Sequence, residues 1–383
     1  MGQILTFDAE ENQYLRTFEN RLELALYVAY REARRGGKRK THDEHAFEAN
    51  EYENLLNLKA DLLNKTYVPG RSTSHIIYNP VIREIFAASF RDRVVHHLVF
   101  DTVYDWWDRR FIEDSYSCRV GKGTLYGVKR LDHHIRSASE NYSRRVWVMK
   151  ADIQGYFMSL PRKELYKIAM WGLDRQFEGR TDTEEYKLMR FLWRQIIMDD
   201  PVKGAKKVGD LAGWDKLPAT KSLFNQPVGK GIVIGNLTSQ LLSNIYLDTL
   251  DRFVKFDLGY KHYGRYVDDF YIVATEEQLP QLKRDMKAIE LFLERKQLTL
   301  HPRKRSLQPS DHGIPFLGAV VYNGFIVPGR RVKHNMLMAC EEVVMDRRDA
   351  ESVTSYVGHM AHINSFSVIE KIFERVGWEF IGA

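Results

Sequence analysis

Residues 264–274, GRYVDDFYIVA, set two adjacent carboxylates, Asp268 and Asp269, between two runs of apolar and aromatic residues. Asp is a poor strand former, whereas Tyr, Val, Ile and Phe favour extended backbone. Both preferences are met by a hairpin over residues 262–275 with the acids at its turn, where Asp is common. Taken alone, the pair reads as a turn and nothing more.

A third acid adds to the picture. Residues 144–152, RRVWVMKAD, form a buried strand by composition and end on Asp152, followed by IQGYF. If that strand lies beside the hairpin, Asp152 and Asp268 converge at one edge of a sheet. Separate carboxylates with open positions suit Mg²⁺, which takes oxygen ligands and keeps room for water and substrate phosphates. Two such ions about 3.5–4 Å apart activate a hydroxyl and stabilise a leaving oxygen in phosphoryl transfer.

The chain has 383 residues, enough for two or three lobes. Helical periodicity predicts helices over 10–35, carrying Leu15, Phe18, Leu22, Ala25 and Ala29, and over 46–65. A short strand pair then feeds a long helix beginning near Asp92. Further helices are predicted over 162–200, 237–256, 277–297 and from about 332 onward. A Gly/Lys/Pro-rich loop lies between 200 and 231. That order predicts an α+β core with a helical appendix. The 57 Lys and Arg exceed 51 acids, giving a net charge of +6, which suits a polyanionic partner. Residues 31–40, REARRGGKRK, concentrate six basic residues, either as a solvated face or against a nucleic acid backbone. Cys118 and Cys340 have no metal-ligand spacing, which predicts a reducing cytoplasm, and no apolar run predicts a membrane span.

YVDD between apolar strands, with an upstream strand-ending Asp in ADIQGYF, resembles the palm of a reverse transcriptase. The resemblance extends over roughly residues 50–370. It implies an α+β right-hand polymerase fold: a basic helical extension over 1–45, fingers over 46–145, a palm over 146–325 with an inserted loop at about 200–231, and a helical thumb over 326–383. Tyr266, Val267, Asp268 and Asp269 match the family's catalytic hairpin. The resemblance assigns two Mg²⁺ ions chiefly to Asp152 and Asp268, with Asp269 and the Ile153 carbonyl beside them. Phe157 falls where the family keeps an aromatic gate against the ribose 2′-OH, the group that separates RNA from DNA precursors. Without the resemblance, Tyr156 and Phe157 read equally well as core.

Other segments match in the family's order. VIREIFAASFRDRVVHH resembles the fingers, with Arg83 placed to hold the incoming triphosphate; Arg91 and Arg93 either do similar work or pair with Asp92 and its neighbours. In DSYSCRVGKGTLYGVKRL the resemblance implies that Arg119 and Lys122 meet template or triphosphate phosphates. In LTLHPRKRSLQ it implies that Lys304 protonates departing pyrophosphate, with Arg305 open as the alternative. FLG at 316–318 resembles the primer-grip hairpin.

IGNLTSQ, residues 234–240, stands where most relatives have Gln-Gly and then Ser-Pro, so Ile234 and Gln240 depart from them around a retained Gly235. This pattern resembles the reverse transcriptases of diversity-generating retroelements of prokaryotes and phages. It implies copying of a dedicated structured RNA into cDNA, error-prone at template adenines, from dNTPs and with a small basic accessory protein. Two alternatives stay open: an antiphage-defence reverse transcriptase using a dedicated noncoding RNA, and a non-catalytic RNA-binding scaffold. Asp152, Phe157, Asp268 and Asp269 together count against the scaffold, which needs none of them.

Overall fold

The computed structural model describes residues 13–35, 41–78 and 81–379. The far half of the basic run, 36–40, and the first twelve residues of the expected N-terminal extension lie outside these. The fold is mixed α+β. In chain order it begins with α1 (Phe18–Ala33), α2 (His42–Glu48), α3 (Glu51–Leu63), β1 (Thr73–Ile77), β2 (Arg83–Ala87) and α4 (Phe90–Arg110). There follow α5 (Thr124–Ala138), β3 (Val146–Ile153), α6 (Tyr156–Ser159), α7 (Arg162–Gln176), α8 (Glu184–Met198), β4 (Lys206–Lys207), α9 (Gly213–Lys216) and α10 (Leu237–Arg252). The remainder is β5 (Tyr263–Tyr266), β6 (Asp269–Thr275), α11 (Leu279–Arg295), β7 (Leu300–Pro309), β8 (Ile314–Phe316), β9 (Ala319–Tyr322), β10 (Phe325–Pro328), α12 (Arg330–Val344), α13 (Glu351–Met360) and α14 (Phe366–Arg375).

Three of the expected helices are shorter than their apolar periodicity suggests, because capping residues cut them. The helix expected over 10–35 starts only at Phe18, where Thr17 is extended and accepts a hydrogen bond from the Asn20 amide. The expected 46–65 helix is two helices, α2 and α3, broken at Asn50, whose φ of −132° is not helical. The expected 162–200 helix divides into α7 and α8, the second capped by Thr183 through the Tyr186 amide. No helix is expected from the sequence over 124–138, yet α5 forms there and buries Val128, Leu131 and Ile135.

The described residues fall into two compact units, one drawn from those within 1–112, 154–249 and 294–299, the other from those within 113–153, 250–293 and 300–383. In the first unit, α1, α4, α7 and α8 bury apolar faces such as Leu22 and Leu26, Val94 and Leu98, Leu165 and Leu173, Leu192 and Trp193. A small sheet of order β2-β1-β4 carries an antiparallel hairpin with Thr73 opposite Ala87. Glu84 on that hairpin is fully buried and accepts hydrogen bonds from Trp214 Nε1 (2.7 Å), Ser222 Oγ (3.1 Å) and the Leu223 amide (2.7 Å). A buried carboxylate is tolerated only when its oxygens are so satisfied, and these bonds pin the 200–231 loop to the hairpin.

The second unit is built on a four-stranded antiparallel sheet of order β5-β6-β3-β7. Alternate residues of β3 and β6, including Val146, Val148, Tyr271 and Val273, meet α5 and the β8-β9-β10 sheet in one core. The helices α12, α13 and α14 close over a core of their own, centred on Met336, Ala339, Cys340 and Met360.

Candidate active site

The site grows out of sheet register. Strands β5 and β6 pair with Tyr266 opposite Asp269, leaving Val267 and Asp268 as a two-residue loop. Val267 has φ of +54°, while Asp268 is not in the positive-φ region. That combination is the sign pattern of a II′ turn, which fits the strand twist but favours Gly at its first position. A β-branched residue there stores strain, on the order of 1–3 kcal/mol, and persists only where its surroundings hold it.

On the other side β6 pairs with β3, with Asp152 directly opposite Asp269, and the Ile153 amide donates to the Asp268 carbonyl over 3.1 Å. The register thus gathers Asp152, Asp268 and Asp269 at one end of the sheet. Burial, reinforced by the negative charge of Asp152, pushes the Asp268 carboxyl up to about 6. Asp269 is also raised by burial, against the opposing pull of Lys150.

Two lysines answer this negative charge. Lys304 Nζ on β7 lies 2.9 Å from Asp152 Oδ2. Lys150 Nζ stands 3.6 Å from Asp269 Oδ2 and donates to the Pro315 carbonyl over 2.6 Å. Arg305 instead pairs with Glu290 at 3.5 Å. Lys150 is not among the residues singled out by the sequence motifs. Its signal was the strand period of two, which places residue 150 on the same face as Asp152.

Among the described residues no three His, Cys, Asp or Glu side chains form a ready-made metal cluster. The donor set nonetheless fits Mg²⁺: hard carboxylate oxygens, one of them reluctant to ionise without a nearby cation, and too few to fill an octahedral shell without substrate and water.

A family model described as reverse transcriptase (RNA-dependent DNA polymerase) matches residues 81–321, more than half of the chain and inclusive of all these residues. The chain belongs to the reverse transcriptase family. That family is described as RNA-dependent DNA polymerases, and the mixed α+β fold is the class expected from the sequence. No curated protein matches the sequence. Among solved structures, telomerase from Candida albicans in complex with a fragment of telomeric RNA is similar at 12% identity and a TM-score of 0.47, over 82% of this chain and 55% of that one. Apo telomerase from Candida tropicalis gives 11% identity and a TM-score of 0.48, over 80% and 58%. This reverse transcriptase chain therefore spans little more than half the length of those solved chains.

The remaining residues singled out from the sequence are distributed over both units. In the first, Tyr156 is buried and donates to the Ser243 carbonyl over 2.5 Å, whereas Phe157 is only half-buried. Tyr156 is thus core and Phe157 presents part of its ring to solvent. Ile234 is half-buried against a cluster of Phe86, Met158, Leu223 and Val233, and its carbonyl accepts from the Phe86 amide at 2.8 Å. Gly235 follows with φ of +132°, and a Cβ there would stand 2.1 Å from the Phe86 carbonyl oxygen. Gln240 and Arg83 are exposed. Arg91 pairs with Asp61 at 2.6 Å and approaches Asp92 at 3.7 Å.

In the second unit, Arg119 is buried and donates to the Ser115 carbonyl at 3.1 Å. Lys122 donates to the Glu113 carbonyl at 2.5 Å and pairs with the Glu113 carboxylate at 3.1 Å. Both are engaged within their own unit. Tyr266 is half-buried at the end of β5. No helix of the described residues is long and apolar enough to cross a membrane.

Proposed function

We propose that this chain copies a dedicated, structured template RNA into cDNA by two-Mg²⁺ nucleotidyl transfer, with frequent errors at template adenines, as part of a diversity-generating retroelement. The observation that carries the chemistry is the register of β3 against β6, which brings Asp152 opposite Asp269 and beside the Asp268 turn. Asp152 and Asp268 would hold the ions, with Asp269 and the Ile153 carbonyl adjacent. When bound, the ions supply activation of the primer hydroxyl and stabilisation of the leaving oxygen.

The protein's own groups do the rest. Lys304, within hydrogen-bond reach of Asp152, would give a proton to departing pyrophosphate. The half-buried ring of Phe157 would occupy the space of a ribose 2′-OH. Arg83, exposed at the start of β2, would hold the triphosphate, and Arg119 and Lys122 would release internal bonds to meet phosphates. Residues 46–145 would serve as fingers, 146–325 as palm and 326–383 as thumb. Template RNA, cDNA and dNTPs are the partners, with a small basic accessory protein, in the cytoplasm.

The adenine bias rests on Ile234, an alkyl group where most relatives present an amide. One oriented hydrogen bond is worth about 0.5–1.5 kcal/mol, enough to shift discrimination several-fold.

The deciding experiment sequences the RNA and cDNA that co-purify with the protein and repeats synthesis with Asp268→Ala and Ile234→Gln. A single RNA species and cDNA altered at adenines, with fewer such changes in Ile234→Gln, supports the reading. Repetitive or untemplated cDNA assigns the chain to a defence system. Mg²⁺-dependent extension that survives in Asp268→Ala removes the hairpin from the chemistry.

A further inference from the structure

Arg265 is fully buried, one residue before Tyr266 on β5, in a strand that is otherwise uncharged. Its guanidinium forms a two-bond fork with Asp251, Nε to Oδ1 at 2.7 Å and Nη2 to Oδ2 at 2.6 Å, and Asp251 is also fully buried. Tyr263 donates to the same carboxylate at 2.6 Å, and Arg265 Nη2 also reaches Ser115 Oγ at 3.1 Å. The main chain is fixed as well: the Arg265 amide donates to the Asp114 carbonyl, and its carbonyl accepts from the Tyr116 amide.

The Nη1 end of the guanidinium points forward along the chain. Nη1 donates to the carbonyl of Val267 at 2.9 Å. That carbonyl belongs to the planar peptide joining Val267 to Asp268, so fixing it fixes the direction in which the chain enters Asp268. It is also the carbonyl of the residue held at φ +54°. A buried ion pair has little net value for stability, because well-packed apolar residues of similar volume do as well. Holding a strained carbonyl is something an apolar pair cannot do.

We propose that Arg265, anchored by Asp251, is a positioning residue that clamps the strained Val267 peptide and so sets the Asp268 carboxylate for its metal. The inference rests on the metal-dependent reading above. Asp251 orients the fork, the fork holds the carbonyl, and the carbonyl holds the turn.

The test compares wild type, Asp268→Ala, Arg265→Lys and the double variant Arg265→Met/Asp251→Asn. The double variant removes both buried charges while leaving an acceptor for Tyr263. Each protein is measured by urea unfolding, by Mn²⁺ binding in electron paramagnetic resonance with dNTP and a chain-terminated primer on RNA, and by primer extension. A double variant that unfolds like wild type, yet binds Mn²⁺ about 10- to 100-fold more weakly, supports the clamp. Wild-type Mn²⁺ affinity in a folded double variant overturns it, leaving Arg265 as a structural partner of Asp251 alone. If the double variant does not fold, Arg265→Lys decides: it keeps the charge but cannot fork to Asp251 and reach Val267 together. Its Mn²⁺ affinity falls if the clamp is real and is unchanged if it is not. Wild type that binds Mn²⁺ no better than Asp268→Ala defeats the metal reading itself, a result separate from either.

Discussion

Lys304 on the edge strand β7 places its ammonium 2.9 Å from Asp152, the penultimate residue of its neighbour β3. The lysine is well exposed and such surface pairs contribute only about 0–1 kcal/mol, so stability does not explain the contact. Lys304→Ala should therefore leave urea unfolding within about 0.5 kcal/mol of wild type while slowing single-turnover nucleotide addition about 100-fold, the range for loss of a general acid. Equal losses in Arg305→Ala would return the role to the neighbouring arginine.

Phe157→Ala should open the space above the sugar. The expected result is a rise of about tenfold in ribonucleotide over deoxynucleotide use, equivalent to about 1.4 kcal/mol of discrimination. Competition between the two nucleotides in primer extension measures it. Unchanged selectivity would make Phe157 a packing residue like Tyr156.

Gly235→Ala should destabilise the first unit by about 2–4 kcal/mol, because the new Cβ meets backbone at φ +132° and neither side can yield cheaply. The check is the denaturation midpoint. A neutral result would mean that the Ile234–Gly235 segment readily leaves β2.

Asp114 gives the pH prediction. It is buried, and although burial opposes its charge, His134, Arg130 and Lys255 hold its carboxyl well below the usual range. A depressed folded value contributes stability that is complete above the unfolded value and is lost as pH falls through the folded one. Asp114→Asn should cost about 3 kcal/mol at pH 7, and the gap to wild type should narrow by about 1.4 kcal/mol per unit below about pH 4. A gap that is constant with pH would show that the charge is not what matters.

Strand β3 and the β5–β6 hairpin with its acidic turn were legible because period-two patterning and a local acidic pair are written in neighbouring residues, whereas β4 and β7 were not expected as strands. Asp152 was legible too, since a strand ending on a carboxylate is a local event. Helix breaks at Asn50 and Thr183 were not, because their apolar stripes run on across the caps. Helix α5 is obscured by charged and histidine residues, although its buried Val128, Leu131 and Ile135 follow helical spacing. Arg265 was hidden for a different reason: a lone charge in a strand gains meaning only from Asp251 and Val267, one distant in sequence and the other reached through its main chain.

Neither compact unit is a continuous length of polypeptide. During synthesis, β3 leaves the ribosome long before its partners β6 and β7, which begin at Asp269 and Leu300. Its apolar alternation, and Asp152 at its end, must wait for more than a hundred further residues to be made. Non-local pairing of this kind is slow and leaves unpaired edges open to aggregation. A nascent chain stopped before residue 300 would carry β3 with a missing neighbour, so dissection into fragments should yield insoluble pieces even where the intact chain folds well.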